Sequence, residues 1–440
     1  MADSLATIAG LQQALARGDL RPGEALAAQR QRLTSLDSTF HAVVDALPDT
    51  LLPPESNGPL AGVGLAHKDI FDLPSRAPGV GGGQGIQASG RIAAPVLQNL
   101  ARSGASHLAT LTMAEFACGS TSANPHFPRC INPLLADAVV GGSSSGSAVA
   151  VASGMVYGSL GTDTAGSVRM PAATCGLVGL KTTHGLLPRE GVFPLAPSLD
   201  SVGVLARCAD DARQILLGAS PSERLQPATD TRAAMWLPSP GIDDRVGAAM
   251  QTLAAAFDWP ETAFNDHAAL TQLAEIVLHY EAAATHRSAL LARSLSPLVE
   301  AVALPGLVMP ADWHSAALAD RARQVTNFVQ QQLRAVDVLV MPALPAPVPD
   351  WQTVTLGHAT FDVRQLLALH RFMGFINYLG LPALVVPIAR DARGMPISVQ
   401  LVGRPFHELT LLRLAAQIEA RFFCMTEPTA SPAPSFSSED

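Results

Sequence analysis

The sequence predicts a layered α/β protein, and three observations predict it. Short apolar segments of strand length alternate with longer amphipathic segments of helical length. Glycine and proline separate these segments along most of the 440 residues. Hydrophobic residues make up 48% of the chain and charged residues only 15%, which is enough apolar material for a large core. Strands that alternate with helices favour a sheet covered by helices.

The first segment, residues 4–36, predicts two helices. Ser4 is a suitable cap for the first helix, Gly18 a suitable end, and Pro22 suits the first turn of the second helix. We expect the two helices to pack on the outside of the main body. Their amphipathic pattern also predicts that they can form the interface of a homodimer.

The following segments predict buried strands with helices between them. AGVGLAHKDIF predicts a buried strand, and PVLQNLARSGASHLATLTMAEFACG predicts a helix, a turn at Gly104 and a second strand. AVAVASGMVYGSLGTDTAGS predicts a helix that begins after a Gly/Ser loop, followed by a strand that ends near Thr162. These strands are expected to form the centre of the predicted sheet, with the helices packed on its faces.

The C-terminal half predicts helices first and strands later. Residues 210–335 have mostly helical patterns, most clearly at 313–334. Residues 336–349 predict a strand that runs into a proline-rich loop, and 382–405 predict a strand pair joined by the turn DARG. HELTLLRLAAQIEARF predicts a closing helix, and residues 426–440 predict a disordered tail because large apolar residues are scarce there.

Charge and cysteine content exclude several classes of protein. The net charge is −8 and Lys and Arg form no cluster, so no nucleic-acid partner is expected. The chain has five widely spaced cysteines, which predicts reduced thiols in a cytoplasmic protein and no zinc site. The N-terminus lacks a basic region followed by an apolar stretch, and no apolar run is long enough to cross a bilayer. No membrane association is therefore expected.

The stretch VVGGSSSGSAVAVASG at 139–154 allows three interpretations. A flexible linker should separate two domains, but this stretch runs straight into a helix of small residues. A phosphate-binding loop should end in Lys-Ser or Lys-Thr or follow G-x-G-x-x-G, and this one does neither. The third interpretation is part of an active site, and two other segments support it.

One of these segments is a second loop of small residues and the other carries a lysine. LGTDTAGSVRMPA places Ser167 among consecutive backbone N–H groups that can bind a developing oxyanion. GLAHKDIFD places Lys68 in an apolar strand, where it is either ion-paired with Asp69 or Asp72 or neutral and able to act as a general base.

Histidine offers no comparable arrangement. None of the histidines stands in a G-x-S-x-G context, and His184, which follows GLKTT, is expected to be structural. A serine–lysine device therefore fits the sequence better than a serine–histidine one.

The segments together resemble the amidase signature family of serine hydrolases, densely from about residue 59 to 208. The resemblance rests on GPLAGVGLAHKDIFD, TMAEFACGSTSANP, GGSSSGSAVAVASG, GTDTAGSVRMPA, CGLVGLKTTHG and SLDSVGVLAR, with weaker support from NYLGLPALVVP and GMPISVQLVGRP. It implies an α/β/α layered fold around a mixed, mainly parallel sheet. It also implies one domain over residues 1–425, with residues 1–58 packed on it.

The resemblance assigns roles to individual residues. It implies Ser167 as nucleophile, Ser143 as bridging serine after a cis peptide bond, and Lys68 as base, without metal or cofactor. The implied oxyanion hole consists of the backbone N–H groups of Thr164, Ala165, Gly166 and Ser167. The implied supporting residues are Ser144, Asp163 and Arg169.

Some roles stay open at this stage. Arg169 is either buried in an ion pair with Asp163 or Asp200, or binds a substrate carboxylate. Ser144 either hydrogen-bonds within its loop, as Ser145 is expected to do, or supports Lys68. Two positions depart from the family pattern, since Ala165 stands where glycine is usual and Thr182 where proline is common.

The implied function is hydrolysis of the carbon–nitrogen bond of a small amide. The alternatives are the glutaminase subunit of a tRNA-dependent amidotransferase, a biuret or carbamoyl-amide hydrolase, and, in a different class, a catalytically silent binding protein. Specificity is expected from residues 210–335 and from loops near 121–132. Candidate pocket walls, each of which fits a plain core role as well, are Trp313, Tyr280, Phe328 and Phe375.

Overall fold

The structure is a computed structural model that describes residues 5–83, 85, 89–220, 222–226, 231–238 and 241–422. Within these residues the chain forms a single ten-stranded sheet with helices on both faces. The predicted disordered tail at 426–440 lies outside the described residues.

The ten strands form one continuous mixed sheet. Their order across the sheet is β1-β3-β2-β4-β6-β5-β9-β10-β8-β7. The strands are β1 (Val43–Ala46), β2 (Gly64–Lys68), β3 (Ser106–Leu111), β4 (Gly158–Asp163), β5 (Val178–Lys181), β6 (Ser201–Ala206), β7 (Ala233–Met235), β8 (Val338–Pro342), β9 (Ala383–Arg390) and β10 (Pro396–Gly403).

The expectation of a mainly parallel sheet is wrong. Only β2–β3, β2–β4 and β7–β8 pair in parallel, and the other neighbouring strands pair antiparallel. Parallel neighbours need a crossover connection, as α3 (Pro95–Arg102) provides between β2 and β3. The strands β9 and β10 follow each other through the short turn 391–394, which permits only the antiparallel arrangement.

The remaining helices surround this sheet. They are α1 (Ile8–Arg17), α2 (Pro22–Phe40), α4 (Ser145–Ala152), α5 (Arg169–Cys175), α6 (Ala209–Ala219), α7 (Asp244–Phe257), α8 (His267–Thr285), α9 (Arg287–Ala292), α10 (Pro297–Val308), α11 (Ala311–Gln332), α12 (Val363–Ala368), α13 (Gly374–Leu379) and α14 (Glu408–Phe422).

The two faces of the sheet contribute to separate hydrophobic clusters. Leu65 of β2 packs in the cluster that includes residues of α3, α6 and α14, whereas its neighbour Ala66 packs in the cluster formed by α2, α4 and α5. Successive residues of a strand point to opposite faces, so both faces of β2 are buried. All residues of α4 are buried, which explains why the helix consists of Ser, Gly, Ala and Val.

Most of the predicted elements are present, with small corrections at the N-terminus. The first helix begins at Ile8, and the Thr7 hydroxyl caps it by accepting from the Gly10 N–H at 3.1 Å. The expected cap, Ser4, lies outside the described residues. Gly18 ends the helix with φ 74°, and Pro22 opens the second helix as predicted. The first helix contacts the main body, since the Ile8 N–H donates to Asp211 Oδ1 at 2.8 Å.

The C-terminal predictions agree closely with the structure. The helix expected at 313–334 is α11, the strand expected after 336 is β8, and the strand pair at 382–405 is β9 and β10 with the DARG turn between them. The closing helix is α14. Four strands were not predicted, namely β1, β5, β6 and β7. Of these, β7 is only three residues long and lies inside the helical region 210–335.

Candidate active site

Lys68 is the last residue of β2 and lies in the interior of the sheet, with only 1% of its surface exposed. Its Nζ donates to Ser143 Oγ at 2.7 Å and to Thr162 Oγ1 at 2.7 Å. Both partners reach the amine because β4, which carries Thr162, is the parallel neighbour of β2, and the serine loop precedes the helix that packs on both strands. The three side chains form a compact polar group inside an apolar layer.

Lys68 makes no ion pair with a carboxylate of the described residues. Asp69 accepts the Gly79 N–H at 3.0 Å, and Asp72 pairs with Arg91, so neither neighbour forms the ion pair considered from the sequence. Burial lowers the pKa of Lys68 from 10.5 to about 7, although the charges of Asp200 and Asp163 act in the opposite direction. A large part of the amine is therefore neutral at neutral pH.

The serine loop approaches Lys68 through a cis peptide bond between Gly142 and Ser143. Gly142 is required by close packing, because a Cβ there would lie 2.6 Å from the Thr121 carbonyl oxygen and 2.8 Å from that of Gly119. Gly141 has φ 80°, a conformation that favours glycine. Ser143 is fully buried, and its carbonyl oxygen accepts the Ala114 N–H at 3.1 Å.

Ser144 connects the serine loop to the second loop rather than to Lys68. Its N–H donates to the carbonyl oxygen of Ser167 at 3.2 Å, and its hydroxyl donates to the carbonyl oxygen of Thr162 at 3.5 Å. The residue that supports Lys68 is Thr162, which the sequence analysis did not single out. The sequence carried only part of the signal, a polar residue at the predicted end of a strand, because the pairing of that strand with the lysine-bearing strand is seen only in the structure. Ser145 begins α4 and is buried.

The second loop folds around the carboxylate of Asp163, the last residue of β4. This carboxylate accepts the backbone N–H groups of Gly166 at 2.9 Å, Val168 at 3.2 Å and Arg169 at 3.3 Å. These contacts turn the chain sharply into α5 and leave Ser167, just before that helix, half-buried. The loop therefore presents a serine at the surface of a rigid turn.

Arg169 forms an ion pair with Asp163, and neither side chain is exposed. Its Nε donates to Asp163 Oδ2 at 3.0 Å and one terminal nitrogen to Oδ1 at 2.8 Å, while Gln400 and Asn377 accept from the guanidinium at 2.8 and 2.6 Å. Burial opposes ionisation of Asp163, but the Arg169 guanidinium holds the pKa of that carboxyl well below its usual range. The ion-pair interpretation agrees with this geometry, whereas a substrate carboxylate would find these donors occupied.

The backbone N–H groups expected to form the oxyanion hole are not equivalent. The Gly166 N–H donates to Asp163, whereas those of Thr164, Ala165 and Ser167 donate to no other described residue. Ala165 stays outside the positive-φ region, so its methyl group introduces no backbone strain at this departure from the family pattern. Gly166 has φ 115°, and a Cβ there would lie 2.8 Å from the Met373 side chain.

A cavity of about 410 Å³ lies along the segment 185–202 and borders Thr162, whereas Lys68, Ser143 and Ser167 do not line it. Its lining includes Thr162 and Asp200, together with Arg189, Glu190 and Phe193. Thr162 therefore connects the two features, because it borders the cavity and its hydroxyl accepts a hydrogen bond from the buried Lys68 amine. The cavity is large enough for a small organic molecule.

The aromatic residues considered as pocket walls do not line this cavity. Phe328 and Phe375 are buried in a hydrophobic cluster with Phe264. Trp313 is 54% exposed on α11, and Tyr280 stacks on His314 with ring centroids 4.4 Å apart. In the predicted loop region 121–132, the Thr121 carbonyl packs against Gly142.

The histidines near the site have structural partners. His67 points away from the Lys68 contacts, and its Nδ1 accepts the Leu160 N–H at 3.0 Å while its Nε2 lies 2.8 Å from His107 Nδ1. Burial lowers the pKa of His67 well below the usual value, so the ring is neutral. The His184 backbone N–H donates to the Gly380 carbonyl oxygen at 3.0 Å, and the structural role of its ring stays a prediction.

Two further observations concern the described residues as a whole. His, Cys, Asp and Glu side chains nowhere within them form a group that could hold a metal ion. None of their helices combines the length and the apolar character that a membrane span requires.

Comparison with known proteins gives consistent matches over most of the chain. The chain is 32% identical over 417 residues to a glutamyl-tRNA(Gln) amidotransferase subunit from Anaeromyxobacter sp. (strain K), and the match covers 83% of each chain. It is 30% identical over 407 residues to the fatty acid amide hydrolase of Medicago truncatula, and this match covers 83% of this chain and 66% of the other.

Solved structures agree with these matches. A structure described as an amidase superimposes with a TM-score of 0.83 at 27% identity, over 94% of this chain and all of the other. A chain from a complex described as revealing the origins of an s-triazine catabolic enzyme gives 0.84 at 25% identity, over 94% and 98%. The family described as Amidase matches residues 43–278 and 252–412. The chain belongs to the amidase signature family, whose members hydrolyse carbon–nitrogen bonds.

Proposed function

We propose that the protein hydrolyses the amide bond of a small molecule through a Ser167–Ser143–Lys68 triad and an acyl-enzyme. The observation that carries the proposal is the 2.7 Å contact between the Lys68 amine and the Ser143 hydroxyl inside a buried network. In the neutral amine, the same contact lets the Ser143 hydroxyl donate to Nζ. The Ser144 N–H contact with the Ser167 carbonyl holds the two serine loops together.

The proposed reaction begins with proton transfer along the triad. Neutral Lys68 accepts the proton of Ser143, and Ser143 accepts that of Ser167 as its Oγ attacks the amide carbon. The free N–H groups of Thr164, Ala165 and Ser167 stabilise the resulting oxyanion. Removal of one such donor costs about 10²–10³-fold in rate in known hydrolases.

The second half of the reaction reverses these transfers. The carbon–nitrogen bond breaks as Ser143 delivers a proton to the leaving amine, and an ester to Ser167 remains. Water then gives up a proton through the same relay and attacks the ester carbon, which releases the acid and restores Ser167. Apart from this water molecule, the proposed steps use side chains and backbone N–H groups of this chain.

In this proposal, the Gly166 N–H has a different role from the N–H groups of Thr164, Ala165 and Ser167. Its N–H faces Asp163 at 2.9 Å, so it supports the loop instead of binding the oxyanion. Asp163, Arg169 and Ser144 act as supporting residues that hold the two loops in place.

The test is release of ammonia or amine from a panel of aliphatic amides, aryl amides, biuret and glutamine. We expect one class to turn over, Ser167→Ala to be inactive, and Ser147→Ala to retain activity. Ser147 is a matched control because it is a fully buried serine in α4 whose hydroxyl has no partner among the described residues. Activity that survives Ser167→Ala would exclude this nucleophile.

A second candidate is the glutaminase subunit of a tRNA-dependent amidotransferase. The 32% identity to a glutamyl-tRNA(Gln) amidotransferase subunit over 83% of both chains favours including it. This candidate predicts that glutamine hydrolysis rises when partner subunits and charged tRNA are added. A stand-alone amidase predicts no such increase.

A biuret or carbamoyl-amide hydrolase is the third candidate for the substrate. The chain is similar to one from a complex linked to an s-triazine catabolic enzyme, and biuret has the same alternating carbon and nitrogen atoms as an s-triazine ring, which supports including it in the panel. Turnover of biuret that exceeds turnover of simple amides would select this candidate.

The proposal also retains two predictions about assembly. Residues 1–425 are proposed to form one domain, which agrees with the contact of the first helix with Asp211. The two N-terminal helices are proposed as a homodimer interface. A sedimentation mass equal to one chain would exclude the dimer, and a cytoplasmic location remains a prediction for fractionation.

A further inference from the structure

The carboxylate of Asp200 joins the cavity segment to the first residue of the second serine loop. Asp200 is 8% exposed and directly precedes β6. Its Oδ1 accepts the Thr164 hydroxyl at 2.6 Å, and its two oxygens accept the backbone N–H groups of Leu195 at 3.0 Å and Ala196 at 3.1 and 3.2 Å. A single carboxylate therefore fixes the turn 195–200 and the start of the loop that carries Ser167.

Asp200 differs from Asp163 in having no ion-pair partner among the described residues. Arg169 compensates the charge of Asp163, but only hydroxyl and backbone N–H donors contact Asp200. A buried charge without a counter-ion is costly, but asparagine could not replace this carboxylate, because it has one accepting oxygen and an NH2 group that only donates. The two accepting oxygens of Asp200 are therefore both needed for its contacts with Thr164, Leu195 and Ala196.

Several titratable and charged groups lie around Asp200, and Lys68 is one of them. Asp200 raises the pKa of Lys68 more than any other charge does, although burial of the amine outweighs it. Burial raises the pKa of Asp200 itself to about 6. The titratable and charged groups around it are Lys68, Asp163, Cys118, His184, Arg189 and Glu190.

We propose that Asp200 is a positioning residue that holds the oxyanion loop through Thr164. The proposal rests on the triad proposed above. In the ionised carboxylate, both oxygens accept hydrogen bonds, so the loop is held in place. Protonation places a hydrogen on one oxygen, which removes an acceptor and frees the turn or the loop.

This role gives the pH profile a particular shape. The triad needs Lys68 neutral, and the positioning role needs Asp200 ionised, so both protonations reduce kcat. Between pH about 7 and about 6, kcat falls because one proton binds, at Lys68. Below pH about 6, kcat falls more steeply because a second proton binds, at Asp200. This steeper part of the profile is the two-proton limb. If Asp200 were merely structural, kcat would continue to depend on a single proton at lower pH.

The first experiment compares Asp200→Asn, Thr164→Val and the double variant across this pH range. Each single variant is expected to lower kcat by about 10–100-fold with little change in KM, because the loop is displaced slightly from the reacting carbonyl. The double variant should be no slower than the slower single variant, because both changes disrupt the same connection between residue 200 and the oxyanion loop. Asp200→Asn should also lose the two-proton limb and move the remaining midpoint to lower pH.

Matched controls exist elsewhere in the chain. Asp211 is a buried aspartate with a pKa also raised to about 6, and its carboxylate accepts the Ile8 N–H far from the triad. Thr110 is a buried threonine whose hydroxyl has no partner among the described residues. Asp211→Asn and Thr110→Val should keep the wild-type pH profile.

Failure of the inference and failure of the proposed function have different outcomes. If wild type is active, Ser167→Ala is inactive and Asp200→Asn keeps both kcat and the two-proton limb, the inference is overturned and the triad stands. Multiplicative losses in the double variant would also overturn it. If wild type turns over no substrate, hydrogen–deuterium exchange of residues 160–172 decides. Faster exchange in both single variants, and not in the controls, supports the positioning role, and unchanged exchange overturns it.

Discussion

The amine of Lys68 and the hydroxyl of Ser143 are in contact at 2.7 Å in the interior of the protein. Lys68 is 1% exposed, and its amine contacts hydroxyl groups instead of a carboxylate. Burial therefore favours a neutral amine that can accept a proton, although the charges of Asp200 and Asp163 oppose this effect.

The rate of hydrolysis is expected to rise with pH through an apparent pKa of about 7 and then level off. The sign follows because the neutral amine is the active form and is lost below that pH. Thr162→Val should shift the midpoint to lower pH, since the threonine oxygen is an acceptor that stabilises the ammonium form. The measurement is kcat against pH for both proteins, and an unchanged midpoint would show that Thr162 does not act on Lys68.

Lys68→Met is expected to lower kcat by about 10²–10⁴-fold and to change how stability depends on pH. The pKa of Lys68 is about 7 in the folded protein and 10.5 ordinarily, so between these values the unfolded chain binds more protons. Lys68 therefore contributes stability that rises from pH 7 toward 10.5, whereas buried thiols such as Cys130, whose pKa burial raises from 9.0 to about 11, lower stability above about pH 9.

Lys68→Met should remove this contribution. A similar contribution should remain because burial also lowers the pKa of Lys181 to about 7. Urea unfolding of both proteins at neutral and alkaline pH measures the difference. Equal slopes for the two proteins would indicate that Lys68 remains charged when folded.

Arg169→Met is expected to destabilise the protein by about 3–5 kcal/mol, because the charge of Asp163 stays buried without its partner. The double variant Arg169→Met/Asp163→Asn should recover part of this loss, since it removes the second charge as well. Denaturant unfolding gives the free energies. Loss of binding only for substrates that carry a carboxylate, without loss of stability, would instead favour the substrate-binding role of Arg169.

Gly142→Ala is expected to reduce activity by about 100-fold or more while the chain still folds. The new Cβ would lie 2.6 Å from the Thr121 carbonyl oxygen, so the loop that carries Ser143 must move. Gly23→Ala is a suitable control, because no atom lies within 4 Å of a Cβ at that position in α2. The two variants are compared by kcat and by thermal unfolding, and equal activity would argue against close packing at Gly142.

Local patterns were sufficient for most elements and for the candidate triad. The helix α11, the hairpin of β9 and β10 and the Gly18 helix end depend on neighbouring residues in the chain, so periodicity and turn residues predict them. The residues Ser143, Ser167 and Lys68 were identified because they occur in three distinctive motifs, although no motif states the distances between them.

The sequence by itself determined the layered α/β class, the order of most helices and of six of the ten strands, and the membership of the three motifs in one family. Only the tertiary structure decided that most strand neighbours are antiparallel, that Thr162 supports Lys68, that Arg169 is enclosed with Asp163, and that Asp200 holds Thr164. The physical reason is that strand neighbours and buried polar partners come from segments far apart in the chain. These contacts depend on which strands pair when the sheet assembles, and the local periodicity of the sequence does not predict that pairing.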